Sequence, residues 1–287
     1  MATEREPSPE RGHPEILQRL EQAIGEIHDS ESFRRYLDVQ SRFYHYSPNN
    51  VALILSQRPD ATRVAGFRAW QRMDRFVMKG EHGIKILVPM TKKVENRESG
   101  EEEKRIFFGV GTVFDVSQTQ GRPLDEIHVP VLEGEEGADL YAKTWDFLAH
   151  AGVRVEAMGD KEDERQPSLM GYFLPDAQLI RIRNSVSQLQ RTKTLLHETA
   201  HLIGGHGECS WLPRDEAETE AESVAYVVAA HFGLDTGERS FPYIAIWSQN
   251  RQTFKQVLGK IQTTSARMID GIEGPPHPDS GPGVTPE

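Results

Sequence analysis

The sequence contains a single cysteine, has no long apolar run and has fewer basic than acidic residues, 33 against 44. Cys209 cannot form an intramolecular disulfide, which favours a reducing compartment. The longest apolar run, residues 221–230, falls well short of the ~18 residues that a membrane helix requires, and it contains Glu222. The amino-terminal residues lack the apolar core of a secretory signal. These absences predict a cytoplasmic protein that does not engage a membrane.

Positive charge is scarce but concentrated in one part of the chain. The formal net charge is -11 over 287 residues. Residues 33–93 nevertheless contain twelve Lys or Arg and four Asp or Glu, a balance of +8 that leaves -19 for the rest. A basic front and an acidic back predict two modules with different partners.

Hydrophobic periodicity predicts an α+β fold. Amphipathic helices are expected in the first sixty residues, and the runs 83–89 and 105–116 predict a β-hairpin whose acidic tip is 95–104. A turn-rich acidic stretch then marks a boundary. We therefore predict four segments: a disordered tail at 1–13, an α/β domain with a β-hairpin at 14–125, a second domain at 135–270 and a disordered tail at 271–287.

The second half alternates helix and strand before two motif-bearing helices. A helix is predicted at 138–151 and a strand at 153–157. The strand-like run 171–183 is interrupted at Pro175-Asp176, since proline cannot donate to a ladder. Two helices follow, and Gly204-Gly205 predicts the end of the first one.

The first of these helices contains the motif HExxH, as His197-Glu198-Thr199-Ala200-His201. Residues four apart share one helix face, so both imidazoles can reach a single ion. Glu198 lies about 100° around the helix, where its carboxylate can take a proton from the attacking water as a general base. The motif predicts a metallopeptidase site, in which His197 and His201 are ligands and Glu198 is catalytic.

A metal site of this kind needs a third ligand. In the extended pattern HExxHxxGxxH it would be a histidine at 207, but this position is glycine and His206 is one residue early. The next helix offers Glu218 and Glu222 on an otherwise apolar face, where unpaired carboxylates are costly. Glu218 is the preferred ligand, with Glu222 holding a histidine from behind, although the reverse assignment stays open. Glu220 is expected to face solvent on the opposite side.

The metal and the remaining catalytic groups are less constrained. Two histidines, one glutamate and an open position favour Zn²⁺, with Mn²⁺ as the alternative. Tyr243 and His231 are possible electrophiles for the oxyanion, although both residue types commonly serve as core packing. The strand-like run before the motif helix could bind a protein or peptide substrate by β-addition.

Several segments resemble the ImmA/IrrE and ArdC group of phage- and plasmid-borne proteins. HETAHLIGGH followed by EAETEAESVAY is similar to the group's two active-site helices, and GYFLPDAQLIRI is similar to the ArdC segment before them. Three further segments, in the same order, resemble the ArdC N-terminal domain: SPNNVALIL, GFRAWQRMDRFVMKGEHGIKILVP and VFDVSQTQG. The resemblance implies an N-terminal single-stranded-DNA-binding domain, a C-terminal gluzincin-like domain, and a role in antirestriction or in repressor proteolysis.

The basic front also has the residue types that bind single strands. Cationic side chains follow a phosphate backbone and aromatic rings stack on bases. The positions we select for nucleic-acid binding are Tyr44, Tyr46, Arg68, Trp70, Arg72, Lys79 and Lys85.

The leading hypothesis is thus an ArdC-like protein that binds single-stranded DNA and hydrolyses peptides with zinc. One alternative is a non-catalytic antirestriction protein that binds DNA or a nuclease and keeps the metal for structure. Another is an ImmA-like repressor-cleaving protease without DNA binding.

Overall fold

The structure, a computed structural model, describes residues 14–95, 102–124, 137–159, 168–206, 214–234 and 250–274. They form two compact units. Within the described ranges, the first unit contains residues 14–26 and 49–124, and the second contains residues 27–48 and 137–274. The predicted tail 1–13 and the central part of the hairpin tip, 96–101, lie outside the described residues.

Helices and strands are mixed, as the predicted α+β class requires. The elements up to residue 124 are α1 (Pro14–Gly25), α2 (Ser30–Arg42), α3 (Pro48–Gln57), β1 (Val64–Gly66), α4 (Phe67–Arg72), β2 (Arg75–Val77), β3 (Ile84–Glu95), β4 (Glu102–Asp115) and β5 (Thr119–Gly121). In the first unit β1, β4 and β3 form an antiparallel sheet in that order, and β2 pairs with β5.

The predicted hairpin is confirmed as β3 and β4, and it is longer than the sequence indicated. The outer edge of β3 is closed by two side-chain amides. Asn50 exchanges two 2.9 Å hydrogen bonds with the backbone of Leu87. Gln57 does the same with Lys85, at 2.8 and 2.9 Å. The next outward-facing residue, Pro89, has no N–H, so this edge of β3 is protected against pairing with another chain.

Asp115 organises the turn that follows β4. Its carboxylate accepts hydrogen bonds from the backbone N–H groups of Thr62, Arg63 and Ser117, at 2.8, 3.0 and 2.9 Å. Gln118 completes a capping box by accepting from the Asp115 N–H at 2.9 Å. Burial alone would raise the pKa of Asp115, but these hydrogen bonds outweigh it and lower the pKa. The segment VFDVSQTQG is therefore the structural joint between β4 and β5.

Among the described residues, the second half of the chain contains three further strands and four longer helices. They are α5 (Ala138–His150), β6 (Arg154–Ala157), β7 (Gly171–Leu174), β8 (Leu179–Ile182), α6 (Gln188–Gly204), α7 (Arg214–His231) and α8 (Arg251–Glu273). The sheet order is β6-β8-β7, with β6 parallel and β7 antiparallel to β8. The interruption predicted at Pro175-Asp176 is confirmed as a short 3₁₀ helix. A core of Leu148, Val153, Ile180, Ile182 and Leu195 joins α5 and α6 to this sheet.

Two boundaries differ from the sequence-based division. Helix α2 packs in the second unit rather than the first, because the Tyr226 hydroxyl of α7 donates a 2.6 Å hydrogen bond to Asp38. The predicted tail beginning at residue 271 is wrong for its first residues, since α8 continues to Glu273. Gly271 is not a helix breaker here. A Cβ at this position would lie 2.3 Å from the Phe147 ring, so glycine permits close packing against α5.

None of the helices in the described ranges is both long and apolar enough to span a membrane.

We predict that Asp115→Ala lowers the free energy of unfolding of the first unit by about 3 kcal/mol, because several buried donors lose their acceptor. Asp115→Asn, which keeps one acceptor oxygen, should lose less. Urea denaturation followed by circular dichroism would measure both. An Ala variant as stable as the wild type would show that this joint is not needed for the fold.

Candidate metal centre

The predicted HExxH motif lies on α6, and both helix ends have clear local causes. The Ser187 hydroxyl caps the amino end by accepting from the Gln190 N–H at 3.2 Å. Gly205, at φ +70°, ends the helix in the left-handed conformation, as predicted from Gly204-Gly205. On the intervening face, the Nε2 atoms of His197 and His201 lie 3.1 Å apart.

Helix α7 brings a carboxylate to the same point. Oε2 of Glu218 lies 3.1 Å from Nε2 of His197 and 3.5 Å from Nε2 of His201. The two imidazoles are mostly buried, whereas the Glu218 side chain is 47% exposed. Of the two glutamates that the sequence left open, Glu218 is thus the one that meets both Nε2 atoms, and the centre is open to solvent on its side.

The geometry and chemistry of these three groups fit a divalent metal. Tetrahedral coordination with bonds of about 2.1 Å separates neighbouring ligand atoms by roughly 3.4 Å, which matches the three observed distances. Glu222 favours the His197 tautomer in which Nδ1 carries the proton and Nε2 is free to accept. Nδ1 of that ring faces the Glu222 carboxylate at 3.4 Å and is placed to donate to it. A metal ion bound by Nε2 of His197, Nε2 of His201 and Oε2 of Glu218 would remove the repulsion between these electron-pair donors. Among the described residues, this is the one group of at least three His, Cys, Asp or Glu that could hold a metal ion.

The close approach of these groups shifts the pKa values of Glu218 and His201. Hydrogen bonds from His197 and then His201 hold the pKa of Glu218 far below its ordinary value, despite partial burial. Burial lowers the pKa of His201 and favours its neutral form. Both effects leave the groups in the states that bind metals, an ionised carboxylate and an uncharged imidazole.

Glu198 lies in a drier environment beside β7. Burial raises its pKa to about 7, with His197 opposing the shift and Glu218 adding to it. Its carboxylate also accepts a hydrogen bond from the backbone N–H of Phe173. Gly171 makes this approach possible, since a Cβ there would lie 2.6 Å from the Thr194 side chain of α6. A carboxylate with this pKa can exchange protons near neutral pH.

A second chain of polar groups lies behind His201. The turn at Gly205 includes a 3.1 Å hydrogen bond from the His206 N–H to the His201 carbonyl, and it folds the His206 ring back. The two Nδ1 atoms are then 2.9 Å apart. On its other side, Nε2 of His206 lies 3.3 Å from Glu220, and Glu220 lies 3.7 Å from Nζ of Lys260.

This chain has one consistent direction when His201 uses Nε2 as a metal ligand. The proton of His201 is then on Nδ1 and is donated to Nδ1 of His206. His206 then carries its proton on Nε2, which lies 3.3 Å from the Glu220 carboxylate but is not aligned for a hydrogen bond with it. The expectation that Glu220 faces solvent is therefore wrong. Its side chain is 4% exposed, because α8, which the sequence analysis did not identify, supplies Lys260 as a partner.

Of the two proposed electrophiles, His231 is not part of this centre. His231 is thirteen residues beyond Glu218 on α7, roughly 20 Å along the helix. Its Nδ1 lies 2.9 Å from the Ser41 carbonyl and its Nε2 lies 2.9 Å from Glu273, so both nitrogens have structural partners. Tyr243 lies outside the described residues, as does Cys209.

The aromatic residues selected for base stacking are placed differently from the prediction. Trp70 is fully buried, and its indole N–H donates to the Phe114 carbonyl at 2.8 Å. Tyr46 is 6% exposed and packs edge-on against Phe43. Tyr44 lies in the second unit, where its ring contacts His231. Trp70 and Tyr46 are corrected to core residues, because a buried ring cannot stack on a base.

The selected cations are at the surface of the first unit. Arg68, Arg72, Lys79 and Lys85 are all exposed. Lys85 donates to the Thr112 hydroxyl at 2.8 Å. The exposed rings of this unit include Phe67, Phe76, Phe107 and Phe108. Sequence reasoning missed Phe107 and Phe108, although they closely follow Lys104-Arg105 on β4.

Comparison with known proteins relates this geometry to one group. Residues 11–114 match the family model for the N-terminal domain of anti-restriction factor ArdC. An uncharacterized Bacillus anthracis protein, pXO2-81, is 25% identical over 303 residues, which cover 90% of this chain. The chain spans about half the length of that curated relative, 51%.

Two solved structures share the fold. The metal-free crystal structure of the antirestriction protein ArdC from plasmid R388 has a TM-score of 0.56 at 20% identity, covering 79% of this chain and 84% of that one. The Mn(II)-bound structure has a TM-score of 0.56 at 16% identity, covering 90% and 97%. Residues 11–114 thus match the ArdC N-terminal domain, and the chain as a whole is similar in fold to ArdC.

Proposed function

We propose that this protein is an antirestriction factor that combines a metal-dependent peptidase with a single-stranded-DNA-binding unit. The antirestriction role is supported by the ArdC N-terminal match and by the ArdC fold. The peptidase is supported above all by one observation, the convergence of His197, His201 and Glu218 on one point with Glu198 beside it.

The metal we propose is zinc, held by Nε2 of His197, Nε2 of His201 and the Glu218 carboxylate. Two imidazoles and one carboxylate are a common catalytic zinc set, and Mn²⁺ remains the alternative because an ArdC structure carries Mn(II). When bound, the cation would supply Lewis acidity that polarises the carbonyl of the scissile peptide. The half-exposed Glu218 leaves room for substrate, which favours a catalytic over a purely structural metal.

Glu198 is the general base of this proposal. Its raised pKa of about 7 lets the carboxylate accept a proton from the attacking water and later release it to the leaving amine. The Phe173 N–H fixes one carboxylate oxygen, which leaves the other for the reacting groups. Burial excludes competing water from this carboxylate.

The β7 strand is the proposed substrate guide. The order β6-β8-β7 leaves one side of β7 without a neighbouring strand among the described residues. An extended peptide can add to such an edge through main-chain hydrogen bonds. Because Phe173 of β7 also contacts Glu198, a peptide bound along this edge would lie beside the catalytic carboxylate.

The first unit is the proposed DNA-binding unit. The part of the basic segment that lies in this unit, residues 49–93, contains nine Lys or Arg and three Asp or Glu, a balance of +6. The exposed cations Arg68, Arg72 and Lys79 lie in the first unit. Phosphate neutralisation by such residues gives affinity without sequence preference.

We predict that Glu198→Gln abolishes peptide hydrolysis, with a loss on the order of 10²-fold or more, yet retains the metal. Wild-type activity should also fall as the pH drops through the pKa of Glu198, at or below about 7, because the base must be ionised and a bound cation lowers its pKa. Turnover of a peptide library and metal analysis by mass spectrometry would test both. A fully active Gln variant would refute the mechanism.

The same variant separates the peptidase from a binding-only role. If Glu198→Gln loses hydrolysis but still protects incoming DNA from restriction, the protein acts by binding alone, either by shielding DNA or by occupying a nuclease through its acidic half, and the metal has a structural role. If protection is lost with hydrolysis, proteolysis is part of the function.

We predict that Glu220→Gln weakens metal affinity about 10- to 100-fold, because the chain that orients His201 through His206 loses its carboxylate. Competition titration with a chromophoric chelator would measure the affinity. Ser223→Ala is the matched control, since Ser223 is equally buried on α7 and bonds only within the helix. Equal affinities in the two variants would contradict this role for Glu220.

We predict that the protein binds single-stranded DNA with an affinity that falls steeply with salt. Changing Arg68, Arg72 and Lys79 together to Gln should reduce the slope of log affinity against log salt by up to about 2. Gel-shift titrations at two salt concentrations would measure it. The control changes three exposed cations of the second unit, Lys143, Arg154 and Lys255. Salt-independent binding, or none, would favour the repressor protease without DNA binding.

A further inference from the structure

One face of the β3–β4 ribbon carries apolar side chains where a solvent-facing sheet is ordinarily polar. Ile84 and Ile86 are buried, so their face of β3 is the inner one. By strand alternation, the opposite face presents Lys85, Pro89 and Lys93 from β3 and Lys104, Ile106 and Phe108 from β4. We call these six residues the ribbon face.

The ribbon face is exposed in spite of its apolar content. Ile106 is 52% exposed and Phe108 is 41% exposed. Phe114 continues the same face along β4 and meets the ring of Phe67 at 6.4 Å; Phe67 is itself 50% exposed. Antiparallel sheets ordinarily place polar side chains on their solvated face, so exposed apolar residues in a row mark a binding surface.

The charges of the ribbon face identify the kind of ligand. Lys93 and Lys104 are directly opposite one another in the strand register, an arrangement in which like charges repel. Glu102 partly offsets this by pairing with Lys93 at 2.7 Å. From Lys104 to Thr112 the face extends roughly 27 Å. An elongated ligand with negative charges and flat apolar faces satisfies both the lysines and the ring.

We infer that the ribbon face is the surface on which the first unit binds single-stranded DNA, with Phe108 stacking on a base and Lys93 and Lys104 contacting phosphates. This rests on the DNA-binding function proposed above and identifies its site. The buried Trp70 and Tyr46 have no part in it. An acidic protein is the other possible occupant, but it would not require an exposed ring four residues along the same face from the two opposed lysines.

The strand itself provides matched controls, because neighbouring residues point to opposite faces. Phe107 and Phe108 are adjacent and similarly exposed, at 38% and 41%, but only Phe108 is on the ribbon face. Lys104 and Arg105 form the corresponding pair of cations. The experiment is fluorescence anisotropy of a labelled oligothymidylate with the full chain and with Phe108→Ala, Phe107→Ala, Lys104→Gln and Arg105→Gln.

Phe108→Ala should weaken binding about 10-fold and Phe107→Ala less than about 2-fold, while Lys104→Gln should reduce the salt slope and Arg105→Gln should not. Phe108→Tyr should restore binding, since it keeps the ring. Equal losses in the two Phe variants, or no loss in either while the wild type binds, would overturn the assignment of this face. Failure of the wild type to bind the oligonucleotide would instead remove the proposed DNA-binding function itself.

Discussion

Three ligand atoms meet at one point between α6 and α7, and much of the second unit is arranged around that meeting. Two imidazole nitrogens and a carboxylate oxygen within 3.5 Å of each other repel unless a metal ion or a shared proton joins them. Each imidazole therefore has a partner on its far side, Glu222 behind His197 and His206 behind His201. The end of α6 at Gly205 makes the second of these contacts possible, because the turn there places the His206 ring beside His201.

Three of the four glutamates of α7 have different partners because they point in different directions around the helix axis. Glu218 and Glu222 are four residues apart and share a face, so one carboxylate meets the Nε2 atoms and the other meets Nδ1 of His197. Glu220 lies about 200° away from Glu218 and is buried between His206 and Lys260. A buried carboxylate without such partners would be protonated or would destabilise the fold. The lysine of α8 thus contributes to the centre from a distance, through two intervening side chains.

Sequence could predict those features that depend on local periodicity. The four-residue spacing of His197 and His201, the shared face of Glu218 and Glu222, the interrupted strand before α6 and the hairpin all follow from one element at a time. Features that depend on packing between elements were missed. Glu220 and the aromatic residues Tyr46 and Trp70 were assigned to solvent or ligand, since composition does not tell an exposed ring from a buried one. Gly271 similarly suggested a tail, whereas it allows α8 to approach Phe147.

The same reasoning explains why the exposed rings of β4 are more informative than the buried ones. A buried Trp70 is accounted for by the core and by its hydrogen bond to Phe114. The exposed parts of Phe108 and Ile106 do not stabilise the fold. Full burial of such a side chain is worth about 1.5–3 kcal/mol, and these two, at 41% and 52% exposed, lose part of it. On the inner face of the ribbon, Gly109 and Gly111 leave room for Met90 and Val88. A Cβ added to Gly109 would lie 2.6 Å from Met90, and one added to Gly111 would lie 2.7 Å from Val88. The inner side of the ribbon is thus lined by its own side chains near these glycines, although Met90 and Phe107 are also partly exposed there, and the outer side is the one that we assign to the proposed DNA ligand.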